Sequence, residues 1–286
     1  MNTRGIDKHW LNFILHTLTS PASFLNSTGR KYLLNTSFSI PGEDWHKGLG
    51  FDVNDLGYRG QTAKMKQLSR VYLNVEGIKV AREKLEGRLE KDMDFSSVAV
   101  PMQGGDKDGR SQGHCMISCS VNYIPKDLEG KPQTIVTMFY RVTEVIQKFG
   151  ADLIFLHDVV LPKLLPKKMY PITKVNFVFA NAFFSPLFTP VLYRYIDPLT
   201  FLKFIKPHTL DKQNPRERST FRSCARAIVL PMVEKDPEHY NYRTRRIMHQ
   251  LSMANLGEDY NPEPVIEYLR SIGQFTWEDK LNHLQD

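Results

Sequence analysis

Apolar residues recur along the chain at two spacings, and the change from one to the other marks out its elements. Leu11, Ile14, Leu15 and Leu18 fall at three- and four-residue steps and predict a short helix over 8–18. From Leu34 to Tyr58 the pattern dissolves, and Pro41, Gly42, Gly48, Gly50 and Gly57 punctuate a stretch that reads as loop. The strongest helical signal follows. Leu68, Val71, Tyr72, Val75, Ile78, Ala81, Leu85 and Leu89 share one face and charged residues fill the other, which predicts one long helix over 66–90. Strand-like runs come next at Ser96–Pro101, Met116–Tyr123 and Thr134–Tyr140, with the turn-rich Ile124–Gln133 joining the last two as a hairpin. A helical pattern runs from Val142 to Leu161, where Pro162 and Pro166 are expected to break it. Val175–Phe179 reads as a further strand. Strands in the middle with helices on either side predict a single α+β domain over 1–286 with an antiparallel or mixed sheet.

Composition narrows the class. The chain has 286 residues, enough for one sizeable core, and its 41% apolar and 24% charged residues suit a soluble globular protein. The longest apolar run, Phe177 to Phe188, is interrupted by Asn181, Ser185 and Pro186 and falls short of the ~18 residues that cross a bilayer. The first residues lack a charged-then-apolar leader, so a cytoplasmic protein without membrane association is expected. Three cysteines make no disulfide framework and fit a reducing compartment. The net charge of +7 favours an anionic partner, and the chain turns polar and basic beyond Pro207.

Most chemical motifs are missing. Gln103-Gly104-Gly105-Asp106 lacks the lysine of a phosphate-binding loop, and the nine histidines give no HExxH. Cys115 and Cys119 share one strand face, but no second pair completes a zinc pattern, so no metal site is expected. Cys115 stands where a polar, glycine-rich loop meets a strand. There Lys107, Arg110 and His114 would hold its thiolate below the free pKa of about 8.5. The alternative is a buried cysteine packed as a small hydrophobe. Cys224, between Arg222 and Arg226, is a weaker rival without strand context.

Several segments, taken in order, carry a resemblance. They are Asp55-Leu56-Gly57-Tyr58-Arg59-Gly60-Gln61, Gly113-His114-Cys115 before a strand, and Phe139-Tyr140-Arg141-Val142-Thr143-Glu144 at the end of the next. Asp152 follows Arg141, and Tyr260-Asn261-Pro262-Glu263-Pro264-Val265-Ile266 lies near the end of the chain. This series resembles the thymidylate synthase superfamily, which includes the pyrimidine nucleotide hydroxymethylases. The resemblance implies a mixed sheet flanked by helices, one face of which forms a homodimer interface, and an enlarged basic insertion at about 207–250. It also implies covalent chemistry, in which a thiolate adds to carbon 6 of a pyrimidine and activates carbon 5. Cys115 would be the nucleophile and Tyr58 would assist proton removal. Arg141 would hold a substrate phosphate, Asp152 would read the edge of the base, and Asn181 would fall in the sugar-binding run. Glu144 would stand where the family's acid contacts the folate pterin.

Each residue also has a plainer reading. Arg141 would pair with Glu144 on the solvated surface, Asp152 would cap or solvate a helix turn, and Tyr58 would be a turn residue with a wet hydroxyl. The departures from the family cluster at the nucleotide handles. Its arginine pair appears as Ser96-Ser97, its proton-relaying acid aligns with His9, and its sugar-binding run appears as Ala180–Ser185. His114 rather than Cys115 would take the nucleophile slot in a register shifted by one. Arg216, Arg218, Arg222, Arg226, Arg243, Arg245 and Arg246 offer instead a charged surface for a DNA backbone, or a merely solvated one. Two classes of function follow. One is a carbon-5 pyrimidine transferase, using folate on a deoxynucleotide, or acting without folate on a base in DNA that carries an activated 5-hydroxymethyl group. The other is a non-catalytic relative that binds or assembles.

Overall fold

The computed structural model describes residues 5–25, 30–58, 60–91, 93–102, 115–185 and 188–192. The basic stretch at 207–250, Cys224 and the Tyr260–Ile266 segment lie outside the described residues. The fold is α+β. Six strands form a mixed sheet in the order β1 (Phe24–Leu25), β2 (Lys31–Pro41), β7 (Lys174–Phe184), β5 (Gln133–Tyr140), β4 (Met116–Ile124), β3 (Ser96–Pro101). A two-residue strand, β6 (Thr143–Glu144), lies along the second half of β7. Neighbours are antiparallel except where β5 and β6 meet β7. Those parallel pairs follow from the helix that carries the chain from β6 across to β7. No helix among the described residues is long and apolar enough to cross a membrane.

The predicted strands at 96–101, 116–123 and 134–140 and the hairpin between the last two are all present. The stretch read as loop from Leu34 is not. Its first part is β2, followed by a short helix, α2 (Gly42–His46). Period-2 alternation is hard to see there because it changes phase midway. Leu33 and Ile40 are both buried, and Asn35 between them takes φ +48°, a left-handed conformation that asparagine tolerates better than most residues. The facing strand changes phase at the same level, from Val175, Phe177 and Phe179 to Ala182 and Phe184.

The predicted helix over 66–90 is two helices, α3 (Gln61–Tyr72) and α4 (Val75–Glu90). Leu73 is extended, and the Asn74 side chain accepts the Gly77 amide at 2.9 Å, so α4 starts from its own N-cap. The apolar stripe runs through this break, which is why periodicity alone joins the two. The predicted helix from Val142 begins later, at α5 (Gln147–Phe155), after β6. It then passes Pro162 without stopping. A π-helical turn, Leu156–Val160, leads into α6 (Leu161–Leu164), and the wider turn relieves the clash a proline ring makes with the carbonyl four residues back.

The core lies between the sheet and helices α1 (Gly5–Thr19) and α5. The amphipathic α1 buries Ile6, Trp10, Leu11, Phe13, Ile14 and Leu18, and Trp10 Nε1 donates to Val145 O at 2.9 Å. Helix α5 is buried almost all round, as a helix without a polar stripe must be. Its Phe149 meets Tyr140, Phe177 and Phe179 edge-on, with ring centroids 5.7, 5.3 and 5.3 Å apart. On the other sheet face Ile117 and Phe139 are exposed among half-buried Ser39, Ser118, Thr137 and Asn176.

Two glycines test this packing in opposite directions. A Cβ on Gly42 would lie 1.9 Å from Ile172 O, a backbone atom held against β2, whereas one on Gly87, within α4, would meet nothing within 4 Å. Urea denaturation should show Gly42→Ala losing on the order of 2 kcal/mol or more and Gly87→Ala gaining ~0.5–1 kcal/mol.

Candidate active site

The hairpin β4–β5 fixes the first two members of the site. Cys115 directly precedes β4 and Arg141 directly follows β5, and the Arg141 amide donates to Cys115 O at 2.8 Å. One extra residue sits in β4 between the Met116–Tyr140 and Ser118–Phe139 pairs, a bulge of the kind that re-aims neighbouring side chains. Cys115 is half-buried and Arg141 exposed.

Two helices close in from the side. Tyr72, in the last turn of α3, is buried, and it and Cys115 act on one another electrostatically. Asp152, in the middle of α5, is only 4% exposed. Its carboxyl makes no hydrogen bond to a described residue, yet its charge is felt by Cys115, Tyr72 and Tyr140. Lys148 stands one turn earlier on α5, the spacing that puts two side chains on the same helix face. From α3 comes Lys64, half-buried, whose ammonium lies 4.0 Å from the centre of the Tyr58 ring. The Tyr140 hydroxyl is buried with no partner among the described residues.

The loop carrying Tyr58 is held by several bonds. Asp52 Oδ1 accepts the amides of Asn54 and Asp55 at 2.7 and 3.1 Å, and Gly57 takes φ +80°. The fully buried Leu56 receives Gln147 Nε2 on its carbonyl at 2.8 Å, which ties the loop to the start of α5. Cys115, Arg141 and Asp152 are thus drawn into one electrostatic neighbourhood, and Tyr58 joins it through Lys64.

Two predicted site residues sit differently. Glu144 is fully buried, and its carboxyl accepts the amides of Ile146, Gln147 and Lys148 at 2.9, 2.7 and 3.2 Å. It therefore caps α5 rather than facing solvent, which excludes the surface pairing with Arg141 and leaves its oxygens engaged where a pterin contact was expected. Burial pushes its pKa up to about 7 against those three amides. Asn181 lies past the phase change of β7, with its Oδ1 buried and unpartnered among the described residues, and no hydrogen bond joins it to Cys115.

The charges of the site run against the expected thiolate. Burial raises the Cys115 pKa and the Asp152 carboxylate adds to the rise, while Lys148, the Tyr72 hydroxyl and Arg141 oppose it. Lys107, Arg110 and His114, the cations that sequence proximity suggested, lie outside the described residues. Cys119 is fully buried and its thiol is pushed up to about 12 by desolvation, so it packs as an inert hydrophobe. Burial also lifts Asp152 to about 7, against the pull of Lys64 and Lys148. Near neutrality that group exchanges between a hydrogen-bond donor and a charged acceptor. Among the described residues no group of three or more His, Cys, Asp or Glu is placed to hold a metal ion.

Sequence reading passed over Tyr72, Lys64 and Lys148. Tyr72 counted as one more apolar position of a helix face, although a buried tyrosine also needs a partner for its hydroxyl. The four-residue spacing of Lys148 and Asp152 was the one local signal available. No protein-family model matches the chain, and no curated protein matches it significantly.

The raised carboxyl has a thermodynamic signature. Its ordinary value is 3.8, so between about pH 4 and 7 the folded state keeps a proton that the unfolded state releases, and stability falls as pH rises through that window. Asp152→Asn should remove this slope. Urea denaturation is expected to show little difference from the wild type near pH 4 and a more stable variant above pH 7, by at most about 4 kcal/mol. A difference independent of pH would show that burial does not penalise this carboxylate.

Proposed function

We propose that the chain is a transferase that modifies carbon 5 of a pyrimidine through a transient bond between Cys115 and carbon 6. The observation that carries this reading is the meeting of a half-buried thiol with a buried carboxyl that makes no hydrogen bond to a described residue, its charge reaching the thiol. A pyrimidine ring needs both, one group to attack its face and one to read its edge. In the reaction the sulfur bonds to carbon 6, and the π pair of the 5,6 double bond moves toward the substituent on carbon 4. Carbon 5 then becomes nucleophilic and takes up the new group. Loss of the carbon 5 proton restores the double bond and expels the thiolate.

On a base that already bears an activated 5-hydroxymethyl group, the same electron pair expels the leaving group. An amine then adds to the exocyclic methylene, and departure of sulfur restores the ring. The first form, on a deoxynucleotide, calls for a folate one-carbon donor. The second, on DNA, does not, and requires the base to be unstacked. A carboxyl poised near pH 7 suits a cytosine-type edge, which offers an amino donor and a ring-nitrogen acceptor. Arg141 is exposed, and its guanidinium would meet a phosphate of the substrate. A homodimer formed through the outer sheet face belongs to the same reading.

The raised thiol favours a second reading, a non-catalytic protein that binds nucleotides or assembles, because a neutral thiol attacks poorly. Mass spectrometry of nucleosides and DNA from cells expressing the protein with its neighbouring genes separates the two. A modified pyrimidine is expected with the wild type and with Cys224→Ser and is expected to vanish with Cys115→Ser. Equal yields from both variants would remove Cys115 from the mechanism. Binding to single-stranded DNA that weakens steeply with salt is expected for the polymer substrate, and none at low salt would leave only the mononucleotide.

A further inference from the structure

We infer that Phe24, Tyr32 and Phe183 form a shelf for the unstacked bases of a single-stranded nucleic acid, with Arg30 beside it to meet the backbone. The inference goes beyond the transferase reading and does not depend on the chemistry of Cys115. Strand pairing builds the shelf. Phe24 of β1 lies opposite Tyr32 of β2, and Tyr32 lies opposite Phe183 of β7, so the three side chains fall in one row across the sheet. Their rings follow one another nearly parallel, with centroids 5.3 and 5.5 Å apart and planes inclined at 14° and 27°. The phase change at Asn35 decides which way the row faces. Beyond it Leu33, Ala182 and Phe184 take the core side, so the alternate residues Tyr32 and Phe183 turn to the opposite face.

Cross-strand aromatic pairs stabilise a sheet, and that alone accounts for Tyr32 against Phe183. It does not account for Phe24. Strand β1 has two residues and ends the sheet among the described residues, and there Phe24 is 49% exposed. The stack therefore finishes at the sheet edge in a ring that still has surface to offer. Every nucleobase has a flat π face that can continue such a stack, whatever its identity. Charge selects the same partner. The Arg30 guanidinium lies 5.8 Å from the centre of the Phe183 ring, whereas the Lys31 ammonium turns away and donates to Leu18 O at the end of α1. The stretches 20–25, 30–34 and 180–185 contain no Asp or Glu. Glu144, paired with Phe183 along β6, is fully buried with its carboxyl on the amides of α5. Sugars also take aromatic faces, but carboxylates that bind their hydroxyls are missing from these stretches. An arginine on a chain of net charge +7 suits a phosphate backbone instead.

Fluorescence anisotropy with labelled oligoadenylates of about twelve nucleotides, in DNA and in RNA form, reads this contact on the intact chain. Adenine is no substrate for a pyrimidine transferase, so the titration is independent of the proposed activity. Binding to at least one of the two is expected at low salt, with weaker binding to a duplex, whose bases hide their faces. Phe24→Ala should weaken it about fivefold or more, and Phe24→Leu, which keeps apolar bulk without a π face, by a similar factor. Phe24→Trp should bind at least as tightly as the wild type. Arg30→Gln should weaken binding and lower the slope of log affinity against log salt by about 0.7. Leu128→Ala, at another exposed apolar residue in the turn between β4 and β5, should change nothing. No binding by the wild type, or wild-type affinity in both Phe24→Ala and Phe24→Leu, would overturn the shelf even where the protein modifies free nucleotides. Weakened binding by these variants of a protein that modifies no base would leave the shelf standing and overturn the transferase reading alone.

Discussion

A buried carboxyl group with no hydrogen bond to a described residue must either lose its charge or find compensation from a distance, and Asp152 does some of both. Lys64 and Lys148 draw its pKa down while the surrounding helix and strands push it up, and the result sits near neutrality. The arrangement depends on α5 being buried almost all round, which places a mid-helix residue near the ends of β4 and β5 instead of in water. It also depends on Glu144, whose three amide bonds fix where α5 starts and hence which way Asp152 faces. A fold selected for stability alone would place asparagine or leucine there. Stability lost at one site in this way is characteristic of a place where chemistry or binding happens.

Around that group the structure gathers side chains from parts of the chain with no local relation. The hairpin sets Cys115 against Arg141, the end of α3 brings Tyr72, and the loop tied to Gln147 presents Tyr58 under Lys64. The balance at the sulfur is close. Burial and one carboxylate raise the thiol pKa, while a phenol, an ammonium and a guanidinium lower it. A substrate that takes up the Asp152 charge in its own hydrogen bond would remove one of the raising effects. The thiol would then ionise more readily with the base in place than without it.

Much of the fold was legible from the order of apolar residues. The strands at 96–101, 116–123 and 134–140 and the hairpin between the last two followed from period-2 runs bounded by turn residues, and α1 from a four-residue apolar stripe. What misled was local chemistry that overrides periodicity. Asn35 at φ +48° hid β2 by reversing its phase, Asn74 divided one apolar stripe into two helices, and the π turn carried a helix past Pro162. In the site, Cys115, Arg141, Asp152 and Tyr58 were singled out before their proximity was visible. Tyr72, Lys64 and Lys148 were not, because each reaches the cluster through tertiary packing. Glu144 was read as a surface or cofactor residue because a two-residue strand ending in a helix cap leaves no periodic trace.

The proposed bond between the Cys115 sulfur and carbon 6 of a pyrimidine is the central step, and isotope exchange reads it without knowledge of the transferred group. Reversible addition makes carbon 5 exchange its hydrogen with solvent deuterium, and lets a 5-hydroxymethyl group exchange its oxygen with heavy-oxygen water. With deoxycytidine and deoxyuridine monophosphates, their 5-hydroxymethyl forms, and single-stranded DNA containing each, exchange is expected with at least one substrate and should disappear in Cys115→Ser. Exchange that survives the substitution, or none above the solvent background with any of these substrates, would contradict the proposed bond.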